Sequence, residues 1–203
     1  VGVRSYEPDE AGPPPERLSP GPPFLTTALL GLALLAALVS NGRPIGAGDT
    51  RPTERVAASL VTEGDFDLDE HVDVEEPFAR TVGEHRVSIY PVLSAVLAAP
   101  VFAAARPVFA FDETGLALAG KWAASLFSCL AAAVLFGAMA RRHPHEDAAW
   151  AAAAFALGTS VWSTSQALWQ HPAAVLALSV AVLFLVRAED DSVCAGRAGL
   201  PLA

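Results

Sequence analysis

The stretch "FLTTALLGLALLAALVS", residues 24 to 40, carries no charge, and "NGRPIGAGDTRPTER", residues 41 to 55, follows it directly. An uncharged run of this size is about the shortest that spans a bilayer as a helix. The loop after it is rich in glycine and proline and sets one acid, Asp49, among Arg43, Arg51 and Arg55. A mere connector between helices could be almost any polar sequence. This composition suits a place where a carboxylate and an anion are both held.

The whole chain agrees with a membrane reading. Of its 203 residues, 53% are hydrophobic and 17% are charged, where soluble domains are nearer a quarter charged. The acids are concentrated: eleven of the 22 lie between Asp49 and Glu84, against five arginines in residues 41 to 90, so the formal charge of −9 describes one loop above all. No basic stripe exists to neutralise phosphates, which argues against nucleic acid as a partner. The two cysteines, Cys129 in an apolar run and Cys194 in a polar one, give no disulfide framework.

Along the chain, the Pro-rich residues 1 to 23 read as a disordered tail. A cleaved signal peptide would need a short basic leader, whereas this tail is long and acidic, so 24–40 is expected to be an uncleaved first span. Further spans are predicted at 116–140, 148–165 and 172–187, with Pro172 in a first turn. Arg141 and Arg142 mark the loop after the second span as cytoplasmic. The N-terminus is then cytoplasmic, and residues 41–115 form an external loop. Within that loop, 51–63 has the apolar spacing of a short helix, with Pro52 in its first turn and Gly64 as a stop. The Pro-broken 90–105 segment is expected to lie in the outer interface. The predicted fold class is all-α: a polytopic membrane helix bundle whose large external loop carries juxtamembrane helices. Residues 188–203 read as a polar connector and the start of a further segment, as in the N-terminal part of a longer protein.

Three stretches carry candidate chemistry. Asp49 or Thr50 can cap the helix at 51–63, and Asp49 can equally serve as a general base at the membrane face, with Arg43 or Arg55 holding an anion. In "DFDLDEHVDVEE", 65–76, the acids fit several positions of a calcium loop, but Glu70 occupies the position that needs glycine. A looser divalent-metal site using Asp65, Asp67, Asp69 and His71 competes with a plain solvated acidic loop. In "STSQALWQHP", 163–172, Trp169 reads as an interfacial anchor, and Gln166, Gln170 and His171 are candidates to face a ligand.

Taken together, "NGRPIGAGDTRPTERVAASLVTEGDFDLDEH", "YPVLSAVLAAPVF" and "SVWSTSQALWQHP" resemble, in order, stretches of the GT-C glycosyltransferase superfamily, and in particular its protein O-mannosyltransferases and lipid A aminoarabinose transferases. The resemblance covers roughly residues 24 to 187. It implies a multi-pass enzyme of the cytoplasmic membrane that takes a sugar from a polyprenyl-phosphate donor at the external face. It makes Asp49 the catalytic acid of the first loop and implies donor or acceptor contacts from Arg43, Arg55, Tyr90, Gln166, Gln170 and His171. Two motifs depart from the pattern: Tyr90-Pro91-Val92-Leu93 stands where relatives carry Tyr-Pro-Pro-Gly, and His171-Pro172 where they carry His-Gly-Pro. A transporter or channel fragment, and a non-catalytic anchor with a cation-binding acidic loop, are the alternative readings.

Overall fold

The computed structural model describes residues 22, 24–45 and 47–197, with side chains through Asp191. The tail expected before residue 22 and the segment expected after Arg197 lie outside the described residues.

The described chain is mostly helical: α1 (Phe24–Val39), α2 (Arg51–Thr62), α3 (Leu93–Ala105), α4 (Glu113–Met139), α5 (His145–Gly158), α6 (Ser160–Thr164) and α7 (Gln170–Arg197). The centre is α4, whose 27 residues reach about 40 Å. Asp112 opens it as an N-cap, its carboxylate accepting from the Gly115 N–H at 2.8 Å. Much of what α4 buries is small: Ala119, Gly120, Ala123, Ala124, Ser128, Ala131 and Ala132. Small faces let neighbouring backbones come close, and α1, α2, α3, α5 and α7 all pack on this one helix. Gly120 is the tightest approach to α2, since a Cβ there would stand 3.0 Å from the Glu54 side chain.

Two helices are long and apolar enough to cross a membrane, α4 and the Gln170–Asp191 part of α7. They coincide with the spans expected at 116–140 and 172–187. α4 is mostly buried in the bundle, whereas α7 turns Leu178, Phe184 and Leu185 outward at 61–71% exposure. Such a row of bare apolar side chains suits contact with lipid rather than water. α1 has 16 residues, about 24 Å of helix, which is short of a ~30 Å hydrocarbon core.

The span expected at 148–165 is instead two helices. α5 ends at Gly158, and Thr159 takes an extended backbone (φ −122°, ψ −176°). Its hydroxyl accepts from the Val161 N–H at 3.2 Å and so starts α6. Glycine ends a helix and threonine caps the next, so the break is a local consequence of the sequence.

The loop after α2 adds to this mostly helical fold a small hairpin that the sequence reading does not include. Strands β1 (Ala79–Val82) and β2 (His85–Ser88) pair antiparallel, Val82 opposite His85, around a two-residue turn at Gly83-Glu84. Gly83 sits at φ +65°, a conformation such tight turns demand and other residues resist. The α2 and α3 helices form where expected. α3 buries Ser94, Ala95, Ala98, Phe102 and Ala105 along one face, toward α2 and α4. That core continues through Val56, Leu68, Leu116 and Leu168, so the loop segments and the first half of α4 share one apolar cluster.

Candidate functional site

The loop leaving α1 is held by a buried polar relay. Lys121, the single lysine of the chain, is 1% exposed within α4. Its ammonium donates to Asn41 Oδ1 and, at 3.1 Å, to the backbone carbonyl of Arg43. An ammonium only donates, so Asn41 must present its oxygen to Lys121 and its NH₂ elsewhere. That NH₂ donates to Gln166 Oε1 at 3.0 Å. Gln166 in turn donates through Nε2 to Ser165 Oγ at 2.8 Å and to the carbonyls of Leu38 and Trp162, both at 3.3 Å. The backbone adds one further tie, Ile45 N–H to the Gln166 carbonyl at 3.0 Å. The relay thus joins the end of α1, the middle of the bundle and the turn before α7. Gln166, expected to face a ligand, spends its amide on this relay.

Asp49 sits half-buried at the far end of the same loop. It is not the cap of α2. Thr50 occupies that position, and its hydroxyl donates back to the Ala47 carbonyl at 2.9 Å. The Asp49 carboxylate instead accepts the indole N–H of Trp169, at 3.1 and 3.2 Å to its two oxygens. Trp169 is therefore the partner of the candidate base rather than only an interfacial anchor.

The arginines divide their work differently from expectation. Arg55 is buried, donating to Asp73 Oδ2 at 2.6 and 3.2 Å and lying 3.5 Å from Glu54. Its guanidinium is committed to holding α2 against the acidic loop. Glu54 is itself deeply buried, and desolvation pushes its carboxyl above the usual range although Arg55 pulls it down. Arg43 has an exposed side chain with no ion pair among the described residues. Arg51 pairs with Glu113 at the surface, where both are substantially exposed. A pair of that kind contributes about 0–1 kcal/mol, so an incoming anion could displace Glu113.

Arg51 also stands between two clefts. One, of about 170 Å³, is lined by Gly48, Arg51, Asp73, Val74, Glu75 and Phe78. The other is small, about 40 Å³, and runs between Ile45, Thr50, Arg51 and Glu113. Tyr90 stacks on Phe78 with ring centroids 6.4 Å apart, which sets it at the rim of the larger cleft. Gln170 and His171 begin α7, and His171 is exposed. Neither makes a side-chain hydrogen bond among the described residues.

In the acidic loop, the hairpin brings up a ligand the sequence reading did not include. Ligand atoms of Asp67, Asp69 and His85 lie within 4.8 Å of one another. His85 Nδ1 is 2.8 Å from Asp69 and 3.3 Å from Asp67. The Arg86 N–H donates to Asp69 at 2.7 Å and, with the His85 ring, holds the Asp69 carboxyl below its usual value. Asp69 and Asp67 push the His85 imidazole upward, with the Asp69 hydrogen bond as the main cause. Asp65 has one buried carboxylate oxygen with no hydrogen-bond partner, and desolvation followed by the Asp67 and Glu70 charges raises its carboxyl. His71 lies apart from the triad, its imidazole lowered by burial and by Arg55. Two carboxylates and an imidazole are a donor set for a divalent cation. The same three groups are also satisfied as an imidazolium–carboxylate pair. No family model, curated protein or solved structure matches this chain.

Proposed function

We propose that this chain is the N-terminal part of a membrane glycosyltransferase of GT-C type, acting at the external face of the cytoplasmic membrane. It would move a sugar from a polyprenyl-phosphate donor to an acceptor hydroxyl or amine. The observation that carries the reading is the Asp49–Trp169 contact: an aspartate freed from capping, held by one neutral donor, at the end of a loop braced by Lys121, Asn41 and Gln166. A base must be positioned before its basicity can be used.

In the proposed reaction the acceptor oxygen or nitrogen attacks the anomeric carbon as Asp49 takes its proton. The bond from that carbon to the phosphate oxygen breaks, and the phosphate leaves with the electron pair. A leaving phosphate needs positive charge more than it needs a proton. Arg51, displaced from Glu113, and the unpaired Arg43 are the cations that would supply it. A single displacement inverts the sugar. The protein would cross the membrane several times with its N-terminus in the cytoplasm, and Asp67, Asp69 and His85 would hold a divalent cation.

The test is Asp49→Asn in the full-length protein. Asparagine keeps the shape and accepts the Trp169 N–H through its amide oxygen, but cannot hold the acceptor's proton. Transfer from a polyprenyl-phosphate sugar should fall by about 100- to 10,000-fold with insertion unchanged. A rate within about threefold of the parent would remove Asp49 from the chemistry.

A further inference from the structure

At the other end of the bundle, a cleft of about 430 Å³ opens between the start of α1, the end of α4 and α7. Its walls are largely apolar, with Leu130 and Val134 of α4 and Leu183 of α7, and among the described residues its charged lining is Arg141 and Arg187. Arg141 is held by Asp190 at 2.7 Å. Arg187 is exposed and makes no hydrogen bond or ion pair among the described residues. Gly137 faces open space in the cleft, since a Cβ added there meets nothing within 4 Å. The α4 residues that line the cleft, from Leu130 to Gly137, lie about 14–24 Å along the helix from Lys121, so it is separate from the Asp49 loop.

We infer that this cleft binds one anionic phospholipid, its phosphodiester against Arg187 and Arg141 and an acyl chain along Leu130, Val134 and Leu183. An apolar trough whose rim carries Arg187 without a partner among the described residues, beside Arg141 held by Asp190, matches a molecule with one negative end and one greasy end. Arg141 and Arg142 put this rim on the cytoplasmic side, the leaflet where anionic headgroups attract basic residues. The inference rests on the membrane reading but not on the glycosyltransferase reading.

The experiment uses the full-length protein purified in detergent. It is offered phosphatidylglycerol or phosphatidylcholine, the lipid retained is counted by native mass spectrometry, and flotation with vesicles of each lipid is measured in parallel. The parent should retain phosphatidylglycerol preferentially. Arg187→Gln should cut that preference by about fivefold, as expected for one arginine at a membrane surface. Gly137→Leu should abolish retention by filling the trough while leaving both arginines. Both variants should still float. Flotation with equal retention of the two lipids, or retention unchanged in both variants, overturns the lipid site alone. That result is also expected if another segment of the chain fills the trough. Failure to float with either lipid overturns the membrane reading as well.

Discussion

The indole N–H of Trp169 donates to both carboxylate oxygens of Asp49, linking residues 120 positions apart in the chain. A hydrogen bond to a charged group contributes about 1.5–3 kcal/mol, and here one hydrogen is shared between two acceptors. Trp169→Phe keeps an aromatic ring, although a smaller one, and removes the donor. If the contact positions a base, the transfer rate of the folded variant should drop by roughly tenfold, alongside a stability loss of up to about 1.5–3 kcal/mol in a thermal melt. A variant that works at the parent rate would return Trp169 to the role of a membrane anchor.

Arg51 and Arg55 should separate cleanly. Arg55→Ala strands the buried Glu54 beside an unpaired Asp73, a mechanism that costs about 3–5 kcal/mol in fully buried pairs. Asp73 is 42% exposed, so about 2 kcal/mol is the expected loss. Arg51→Ala breaks only an exposed pair and should leave stability within about 0.5 kcal/mol. It should raise KM for the polyprenyl-phosphate donor by about tenfold if it holds the phosphate. The measurements are thermal melts and steady-state kinetics. An unchanged KM in the Arg51 variant would take the phosphate away from this cleft.

Much of the helical frame could be read locally. The apolar runs locate α4 and α7, and Pro52 and Gly64 bound α2 to within a residue. The break at Thr159 was present in the sequence as Gly-Thr-Ser, but the apolar run on its N-terminal side outweighed it. The hairpin was signalled by Gly83-Glu84 between two short runs with β-branched residues, a weak signal inside a strongly acidic loop. The site was less legible because its contacts are distant: Asn41 to Gln166 spans 125 positions and Lys121 to Asn41 spans 80. Lys121 could have been singled out, since an ionisable group inside an apolar helix demands partners. The sequence marks Gln166 as needing a partner, and that partner is the protein itself. The spacing of charges could not tell which arginine would be buried, since α2 turns Arg55 inward and leaves Arg51 half-exposed.

The Asp67, Asp69 and His85 cluster should respond to pH in a defined direction. The folded value of His85 is raised above the ordinary 6.5, so its contribution is complete below about pH 6.5 and is lost as pH rises through the raised value. The folded value of Asp69 is lowered from 3.8, so its contribution is present above that pH and is lost only in stronger acid. The hairpin is therefore held best between these limits. Hydrogen exchange at the Arg86 and Leu68 amides, corrected for intrinsic rate, should show more protection at pH 5.5 than at pH 8.5. A divalent cation needs the neutral imidazole, so manganese should restore protection at pH 8.5 and do little at pH 5.5. Equal protection at both pH values without metal would mean that the pair does not hold the hairpin. No manganese effect at pH 8.5 would leave the cluster an ion pair only.

Two exposed positions on either side of α4 report which way the bundle faces. Glu84 lies at the exposed turn of the hairpin, before α4, and His143 lies exposed just after it. If α4 crosses the bilayer once, these two positions must lie on opposite sides, whatever the orientation. The proposed topology puts the His143 side, with Arg141 and Arg142, in the cytoplasm, because basic residues in short loops are retained there. In a background with Cys129 and Cys194 replaced by alanine, Glu84→Cys should react with a membrane-impermeant thiol reagent in intact cells. His143→Cys should react only after permeabilisation. Reaction of His143→Cys alone would put Asp49 on the cytoplasmic side and end the external-donor reading, while leaving α4 a span. Equal reaction at both positions would make α4, more than half buried by its neighbours, the core helix of a bundle that does not cross the membrane.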